Sequence, residues 1–505
     1  MTNLLFDTLF NGQPELAPCL RLVDGRGTNY GELQVESARV ANALSALGVQ
    51  AGDRVAAQID KSVAAVALYL GTIRAGAVFL PLNTAYTARE VEYFLNDACP
   101  TLFICRTQAK DDLLPVAQTT NTHLETLTAD GTAGTWAERL QQSASEFSTA
   151  ARRADDLAAI LYTSGTTGRA KGAMITHGNL ASNAKSLARL WEFNQDDILL
   201  HALPIFHTHG LFVAINTVMV AGASMRFLHS FDVKQVLEML PQCSVMMGVP
   251  TYYSRLLALD AFDASRVAQM RLFISGSAPM TLETHQAFSK RTGRVILERY
   301  GMTETNMITS NPCSGERLPG SVGFPLDEVE IRITDPEANE PLELAAENTG
   351  MIEVRGPNVF KGYWQMPEKT AAEIREDGFF ITGDLGRVDD RGYLHIVGRS
   401  KDLIISGGYN VYPKEIEMHI DRLDGVAESA VIGLPHVDFG EAVTAIVVRR
   451  GDAEMDESSI STALTSELAN YKIPKRVFFI DELPRNAMGK VQKNVLRETY
   501  QDIYA

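Results

Sequence analysis

Tyr162-Thr163-Ser164-Gly165-Thr166-Thr167-Gly168-Arg169-Ala170-Lys171-Gly172 is the strongest local signal in the chain. It follows the apolar run Ala158–Leu161, which is typical of a buried strand. Small residues let backbone N–H groups approach phosphate oxygens, and hydroxyl groups add donors. The Walker phosphate loop needs Gly-Lys-Ser/Thr, whereas Lys171 stands three residues after Gly168. A flexible surface loop is the alternative interpretation, but the hydroxyls, glycines and lysine favour a different kind of phosphate loop.

Short apolar runs alternate with helical segments on both sides of this loop. Arg54–Gln58 precedes a helix near Ser62–Arg74, and Ser244–Met247 and Arg271–Ile274 precede further helices. This alternation predicts an α/β fold with parallel sheets covered on both faces. The stretch Ile198–Met225 lacks Asp, Glu, Lys and Arg but contains three histidines and a proline. It predicts a buried strand, a polar turn and a buried helix, because a membrane span would be mostly unbroken apolar residues.

The pattern changes after Gly350, where shorter strands and turns predominate. After about Lys401 it predicts a compact α+β tail, with helices and strands at Pro413–Ile420, Ser429–Gly433, Ala442–Arg449 and Ile460–Leu468. We predict an N-terminal domain over 1–398, a hinge over 399–402 and a C-terminal domain over 403–505. The Ser/Thr/Gly-rich stretch Thr128–Ser148 is predicted to be a surface excursion.

Bulk composition limits the possible functions. The chain has 505 residues, 45% of them hydrophobic, and a formal net charge of −16. These values indicate a globular protein and argue against general nucleic-acid or anionic-membrane binding, which needs basic surfaces. The five cysteines are an odd number with no C-x-x-C pair, which favours free thiols. The N-terminus lacks a basic region before its apolar residues, so no signal peptide is expected and a cytoplasmic location is predicted.

Further motifs follow the loop in a fixed order. They are Glu298-Arg299-Tyr300-Gly301-Met302-Thr303-Glu304, Thr382-Gly383-Asp384, Gly398-Arg399-Ser400-Lys401-Asp402 and Pro484-Arg485-Asn486-Ala487-Met488-Gly489-Lys490. With these motifs the chain resembles the acyl-adenylate-forming superfamily, which contains acyl-CoA synthetases, luciferases and adenylation domains. The resemblance implies a large N-terminal domain of stacked α/β subdomains with a small β-barrel-like part, and a small mobile α+β C-terminal domain. It also implies activation of a carboxylic acid by ATP and Mg²⁺, then transfer to coenzyme A.

The resemblance also assigns residues to the nucleotide. The β- and γ-phosphates would be held by Thr163, Ser164, Gly165, Thr166, Thr167, Gly168 and Lys171. The rest of the nucleotide site would comprise Ser277, Ala278, Glu298, Arg299, Tyr300, Gly301, Met302, Thr303, Asp384 and Arg399. Thr303 would touch the α-phosphate, and Asp384 would accept hydrogen bonds from the ribose. Glu304 would hold Mg²⁺, a hard cation that prefers carboxylate oxygens.

The C-terminal domain would supply a mobile catalytic cation. Lys490 would stand between the carboxylate and the α-phosphate and offset the repulsion between the two anions. Rotation at Lys401 would then bring a second face to the site, with Gly407, Gly408 and Tyr409 along the pantetheine of coenzyme A. The implied catalytic residues are Lys490, Thr303, Glu304 and His207. Lys490 is also a predicted acetylation target, with an acetyltransferase and a deacetylase as partners, because neutralising it removes the needed charge.

The acyl pocket is argued separately, since the nucleotide site does not choose the acid. Many relatives have glycine where this chain has Arg299. A guanidinium near a buried pocket is costly unless an anion pairs with it. By resemblance Arg255 borders the same pocket, and the full predicted acyl set is His207, Arg255, Ser277, Arg299 and Met302. Two arginines could grip a distal carboxylate, as in family members that activate malonate and often methylmalonate. Internal salt bridges are the alternative for either arginine.

Other functions stay open at this point. A ligase for a monocarboxylic acid would leave two pocket arginines unexplained. An enzyme that loads a carrier protein needs a separate carrier. A non-catalytic nucleotide sensor would not need Lys490. Oxidation of the luciferase type fits the motifs, but a charged pocket does not suit a large aromatic luciferin.

Overall fold

A computed structural model describes residues 2–163, 170–336, 338–346, 348–406, 409–436, 438–451, 453–465, 467–486 and 489–504. Two mainly parallel sheets form its larger part. The first sheet runs in spatial order through His123–Leu127, Leu102–Arg106, Arg54–Gln58, Val78–Pro81, Leu157–Thr163 and Lys171–Thr176. The second runs through Phe324–Pro325, Asn306–Ser310, Ile296–Met302, Leu272–Ser275, Val245–Gly248, Ile198–His201, Ser224–Phe227, Pro18–Arg21 and Gly27–Asn29. Central strands such as Val245–Gly248 are buried along their whole length, as expected for sheets covered on both faces.

Two smaller sheets follow along the chain. The third is antiparallel and consists of Glu330–Thr334, Gly350–Arg355, Phe380–Val388 and Leu394–Arg399. The fourth contains Tyr409–Val411, Ile404–Ser406, Gly440–Arg449, Val426–His436 and Arg476–Ile480. The third sheet occupies the place of the small β-rich part expected from the resemblance, and the fourth forms the core of the C-terminal domain. The predicted mixed α/β class is confirmed.

Helices cover the sheets. The α-helices are Leu4–Phe10, Tyr30–Ala46, Val63–Arg74, Ala88–Ala98, Lys110–Thr119, Thr135–Gln141, His177–Leu190, Asn216–Ala221, Val233–Met239, Pro250–Leu257, Leu282–Thr292, Pro367–Glu373, Pro413–Ile420, Glu457–Thr465 and Lys493–Tyr500. Shorter 3₁₀ turns lie at Thr107–Ala109, Leu240–Gln242, Ser400–Asp402 and Asn470–Lys472, and a π-helical turn lies at His209–Ile215. Among the described residues, no helix has the length and apolar character needed to span a bilayer.

Two local predictions need correction. The stretch Thr128–Ser148 is not a simple surface excursion, because it contains the helix Thr135–Gln141. Trp136 and Leu140 lie one helical turn apart on that helix and are buried in the main core. The helix predicted over Ile460–Leu468 instead begins at Glu457 and ends at Thr465. The uncharged stretch Ile198–Met225 does form a strand, a turn and buried helical segments, as predicted.

The C-terminal domain packs against the N-terminal domain around the 3₁₀ turn Ser400–Asp402. Asp402 accepts a 2.6 Å hydrogen bond from Arg497 of the last helix. Arg450 of the C-terminal domain forms a 2.6 Å ion pair with Glu283 of the N-terminal domain. These contacts place the C-terminal domain over the carboxyl ends of the second sheet.

Candidate active site

A hairpin positions the two described ends of the predicted phosphate loop. Thr163 ends one strand and Lys171 begins the next, and the two are paired in register. Ser164, Gly165, Thr166, Thr167 and Gly168 lie outside the described residues. The hairpin register alone therefore brings the Thr163 hydroxyl and the Lys171 ammonium to one rim of the site.

Lys171 faces an acidic and aromatic cluster. Its Nζ lies 3.3 Å from Glu373 Oε1 and 4.0 Å from the centroid of the Tyr363 ring. The Tyr363 hydroxyl lies 2.6 Å from Glu373 Oε2 and 3.1 Å from Glu304 Oε1. Burial would raise the pKa of Glu373, but its contacts with Lys369, Tyr363 and Lys171 hold that pKa below the ordinary value. Glu373 is therefore a carboxylate that holds Lys171 in place.

Glu304 is the carboxylate predicted to hold the metal ion. It is 5% exposed, and its Oε1 lies 3.5 Å from the Thr163 hydroxyl. Burial raises the pKa of Glu304, while Tyr363 and the cations Lys171 and Arg399 oppose the rise. No group of three or more His, Cys, Asp or Glu in the described parts of the chain could hold a metal ion. A single carboxylate beside hydroxyls fits Mg²⁺, which takes one or two protein carboxylates and completes its shell with phosphates and water.

Asp384 anchors the opposite side of the site. Its Oδ2 accepts a 2.5 Å hydrogen bond from the Tyr300 hydroxyl, and its Oδ1 lies 2.7 Å from Arg399 Nε. The Thr382 hydroxyl accepts the Asp384 backbone N–H at 3.0 Å, which fixes the turn that presents the carboxylate. Burial would lower the pKa of Arg399, but Asp384 and neighbouring acids hold it above its ordinary value. The structure thus brings together Tyr300, Asp384 and Arg399 from three motifs that are far apart in sequence.

Arg299 is a buried cation with no carboxylate partner among the residues that the structure describes. It is 3% exposed, and its Nε and Nη2 are buried with no hydrogen-bond partner among the described residues. The guanidinium lies against Gly276, where the Cβ of any other residue would collide with it. Burial lowers the pKa of Arg299 to about 9, and within the described ranges it forms none of the internal salt bridges that were the alternative. An anionic ligand would provide the missing partner.

Two histidines and Ser277 stand beside Arg299. His209 Nδ1 lies 3.2 Å from Ser277 Oγ, and the backbone N–H of His209 donates to His207 Nδ1 at 3.3 Å. Burial, followed by the charge of Arg299, lowers the pKa of His207 to about 4 and that of His209 well below its ordinary value. Both imidazoles are therefore neutral at pH 7 and can bind by hydrogen bonding. Ser277 has a φ of 69°, a left-handed conformation that is strained for serine and recurs at functional sites.

Arg255 does not share these surroundings. It lies on the exposed side of the helix Pro250–Leu257, whereas Tyr253 and Leu256 form the buried side. No ion pair or hydrogen bond of the Arg255 guanidinium occurs among the described residues. Its predicted contact with the acyl group therefore stays a prediction, and the buried cation of this region is Arg299.

The remaining predicted residues are distributed around the same edge of the second sheet. Ala278, Gly301, Met302 and Thr303 are partly buried next to the residues described above. Glu298 points elsewhere: its Oε1 accepts the backbone N–H of Gly320 at 2.9 Å, and burial raises its pKa to about 7.

Lys490 extends toward the site from the C-terminal domain. It is exposed, but it lies near Arg399, Asp384, Lys401 and Asp402. Its pKa is lowered, first by loss of water around the ammonium and then by Arg399, with Asp384 opposing the change. The preceding Gly489 lies against Thr251 of the N-terminal domain, where an added Cβ would lie 3.4 Å from Oγ1.

The predicted coenzyme A residues are only partly described. Gly407 and Gly408 lie outside the described residues. Tyr409 is 59% exposed, and its ring stacks on Tyr471 with the centroids 4.6 Å apart. Its role in binding coenzyme A stays a prediction.

Sequence reasoning missed His209, Tyr363 and Glu373. His209 could have been found, because it lies two residues after His207 in the same motif. Tyr363 and Glu373 carry no such local signal, since they meet Lys171 only through the fold, with Glu373 lying 202 residues away in sequence.

Comparison with known proteins is consistent with this geometry. The AMP-binding enzyme family matches residues 9–364, and the AMP-binding enzyme C-terminal domain matches residues 415–490. A malonate–CoA ligase of Arabidopsis thaliana is 35% identical over 527 residues, covering 95% of this chain and 86% of that protein. A feruloyl-CoA synthase of Amycolatopsis sp. is 34% identical over 488 residues and covers 94% of each chain. The crystal structure of ATP-bound MatB from Rhodopseudomonas palustris is 55% identical, with a TM-score of 0.97 and full coverage of both chains. The apo form of MatB gives a TM-score of 0.87.

Proposed function

Since the chain belongs to the AMP-binding enzyme family, we propose that it is an AMP-forming malonate–CoA ligase. It converts malonate, ATP and coenzyme A into malonyl-CoA, AMP and pyrophosphate through a malonyl-adenylate, and it also accepts methylmalonate. The malonate–CoA ligases among its relatives and its likeness to MatB support this choice. The observation that carries it is Arg299, a buried guanidinium for which the described parts of the chain offer no carboxylate partner.

Charge matching explains why a diacid suits this pocket. One carboxylate of malonate must face the α-phosphate in order to react. The second then lies at the far end of a short molecule, where a monocarboxylic acid would offer only apolar groups. Arg299 can donate to that carboxylate, with Ser277 and His209 as neutral hydrogen-bonding neighbours. A buried guanidinium that stays unpaired is costly, so binding of the diacid is favoured over that of a monoacid.

The nucleotide would lie between Lys171 and Asp384. Asp384, already oriented by Tyr300 and Arg399, would accept hydrogen bonds from the ribose hydroxyls. The Lys171 ammonium would leave its ion pair with Glu373 and bind phosphate oxygens. Glu304 would hold Mg²⁺, which supplies charge neutralisation at the phosphates. The loop residues Ser164, Gly165, Thr166, Thr167 and Gly168, which lie outside the described residues, are proposed as further phosphate ligands.

Adenylation needs two anions to approach each other. A carboxylate oxygen of malonate attacks the α-phosphorus, and pyrophosphate leaves. Lys490 would stabilise the charge that develops there, with Thr303 near the α-phosphate and His207 beside the reacting carboxylate. Its position near Arg399 and Asp384 supports this role. The sulfur of coenzyme A then attacks the acyl carbon and AMP leaves, after rotation about Lys401 places Tyr409 at the site.

The accessibility of Lys490 supports a regulatory partner. The side chain is exposed, and its lowered pKa raises the fraction of free amine at neutral pH. A lysine acetyltransferase could therefore acylate it, and a deacetylase could restore the charge. We also retain a cytoplasmic location, which is supported by five free cysteines in a chain that shows no disulfide among its described residues.

A panel of acids tests the proposed function. Purified protein with ATP, Mg²⁺ and coenzyme A is assayed for AMP and thioester with malonate, methylmalonate, succinate, acetate and benzoate. Malonate and methylmalonate should give the highest kcat/KM. A preference for acetate or benzoate would refute the choice of substrate, and no AMP with any acid would refute the ligase itself. Transfer to a carrier protein but not to coenzyme A would indicate a carrier-loading enzyme.

A further inference from the structure

Lys61 is a buried lysine without a carboxylate partner among the described residues. It is 7% exposed, and it follows the strand Arg54–Gln58. Its Nζ lies 2.8 Å from His201 Nδ1 and 2.8 Å from the His201 carbonyl oxygen, and it faces the Phe227 ring at 4.4 Å. An ammonium has three donors and no acceptor, so two hydrogen bonds and one ring face occupy it fully. Burial lowers the pKa of Lys61, yet its donors have partners whether the amine is charged or neutral.

The backbone of Lys61 is held as well. His229, which follows the strand Ser224–Phe227, places its Nδ1 3.0 Å from the Lys61 carbonyl oxygen. Lys61 is thus held by His229 at its backbone and by His201 at Nζ. An apolar residue of similar volume would fill the same space without the cost of burying a polar group. A lysine at this position is therefore costly unless these hydrogen bonds are kept.

His201 connects Lys61 to the π-helical turn His209–Ile215. The Gly210 carbonyl oxygen lies 2.8 Å from His201 Nε2 and can only accept, so Nε2 carries the hydrogen and Nδ1 accepts from Lys61. Gly210 lies in the π-helical turn His209–Ile215, and a Cβ there would collide with the Pro204 carbonyl. The turn is therefore set tightly against the end of the strand that carries His201.

The first residue of that turn reaches the proposed acyl pocket. His209 lies 3.2 Å from Ser277 Oγ and close enough to Arg299 for that charge to lower its pKa. Its backbone N–H donates to His207 at 3.3 Å. A continuous chain of contacts thus joins Lys61, through His201 and the turn, to side chains beside Arg299.

We propose that Lys61 is a positioning residue for the acyl pocket, which acts through His201 to hold the turn that carries His209. The proposal rests on the proposed function, because the pocket it serves is the one assigned to the diacid. A change at Lys61 should therefore alter KM for the acid and leave KM for ATP unchanged. Lys61 itself would not touch the substrate.

Steady-state kinetics of Lys61→Met test this inference. The substitution keeps the length and volume of the side chain and removes the donors. We expect KM for malonate to rise about tenfold, as for loss of one well-placed hydrogen bond to a pocket group, with KM for ATP unchanged. Lys185→Met is the matched control, because Lys185 is an exposed lysine on the helix His177–Leu190. An unchanged KM for malonate, or equal changes in both KM values, would overturn the proposal.

If Lys61→Met does not fold, two variants of His201 test the proposal instead. In His201→Gln the amide nitrogen falls near the position of Nε2 and can still donate to the Gly210 carbonyl, whereas in His201→Asn the amide falls near the position of Nδ1 and is too short to reach that carbonyl. We expect His201→Gln to retain a KM for malonate close to that of the wild type and His201→Asn to raise it. Equal values for the two variants would contradict the relay. Wild-type protein that forms no malonyl-CoA would instead refute the proposed function, so the two failures are distinguishable.

Discussion

Replacing Arg299 with methionine should make the protein more stable and less active. The guanidinium is 3% exposed, and its buried Nε and Nη2 have no hydrogen-bond partner in the described part of the chain. Burial lowers the pKa of Arg299 to about 9, and at about 1.36 kcal/mol for each pKa unit this corresponds to several kcal/mol against the charged form. Replacing buried ions by apolar residues of similar volume yields about 1–4 kcal/mol. We expect Arg299→Met to gain free energy of unfolding in that range.

The sign of the pH effect determines the pH at which the stability of Arg299→Met should be measured. The pKa of Arg299 is lower in the folded protein than in the unfolded chain, so the unfolded chain binds more protons once the pH exceeds about 9. The destabilisation is fully present below pH 9 and fades as the pH rises above it. Thermal unfolding at pH 7.5 therefore measures the whole effect, as a higher Tm for Arg299→Met than for the wild type.

The same substitution should remove recognition of the diacid. Loss of one partner from a buried charge pair costs about 2–5 kcal/mol, which is roughly a 30-fold to several-thousand-fold fall in kcat/KM for malonate at 1.4 kcal/mol per tenfold change. KM for ATP should not change, and malonate should no longer raise Tm in the presence of a non-hydrolysable ATP analogue. Arg153→Met, at an exposed arginine, is the control. A lower Tm together with retained kcat/KM for malonate would refute the reasoning.

Three further substitutions separate the other parts of the site. Lys490→Ala should lower malonate-dependent pyrophosphate release by about 10²–10³-fold and leave ATP binding by calorimetry intact; unchanged release would show that another group supplies the charge. Tyr300→Phe removes the 2.5 Å hydrogen bond to Asp384. A hydrogen bond to a charged group contributes about 1.5–3 kcal/mol, so KM for ATP should rise roughly 10- to 100-fold while KM for malonate stays the same. A rise in KM for malonate alone would place Tyr300 in the acyl pocket. Glu298→Gln should stabilise the protein at pH 8 but not at pH 4.5, because burial raises the pKa of Glu298 from 4.5 to about 7. The contribution of this carboxyl to stability is fully present below pH 4.5 and is lost as the pH rises through 7. Glutamine keeps an acceptor for the Gly320 N–H. Urea unfolding at each pH measures the difference in free energy of unfolding between the variant and the wild type. The same difference at both pH values would contradict the raised pKa of Glu298.

The motifs name residues for the proposed nucleotide site because each motif is local in sequence, and the structure brings Tyr300, Asp384 and Arg399 together. The apolar run Ala158–Leu161 predicted a buried strand before the loop, and the strand Leu157–Thr163 confirms it. The mixed α/β class followed from short apolar runs that alternate with helices. The helix Pro413–Ile420 was predicted with its observed bounds.

What the sequence could not predict depends on distant packing. The face of a helix that is buried is set by its neighbours, and so Arg255 could not be recognised as exposed from its spacing after Pro250. The Lys61–His201 contact joins residues 140 positions apart, and the Lys171–Glu373 pair joins residues 202 apart. The helix Thr135–Gln141 was not predicted, because the residues on either side of it are rich in turn-forming types.

The contact between Lys171 and Glu373 has a consequence for turnover. At 3.3 Å, Glu373 already neutralises the lysine before any nucleotide arrives. If Lys171 binds the triphosphate as proposed, the nucleotide would have to displace this carboxylate and would gain less affinity from Lys171 than from a lone cation. When pyrophosphate departs, the same carboxylate would take its place, so the ammonium would not be left without an anion. On the proposed function, Glu373 would therefore weaken ATP binding and favour release of pyrophosphate.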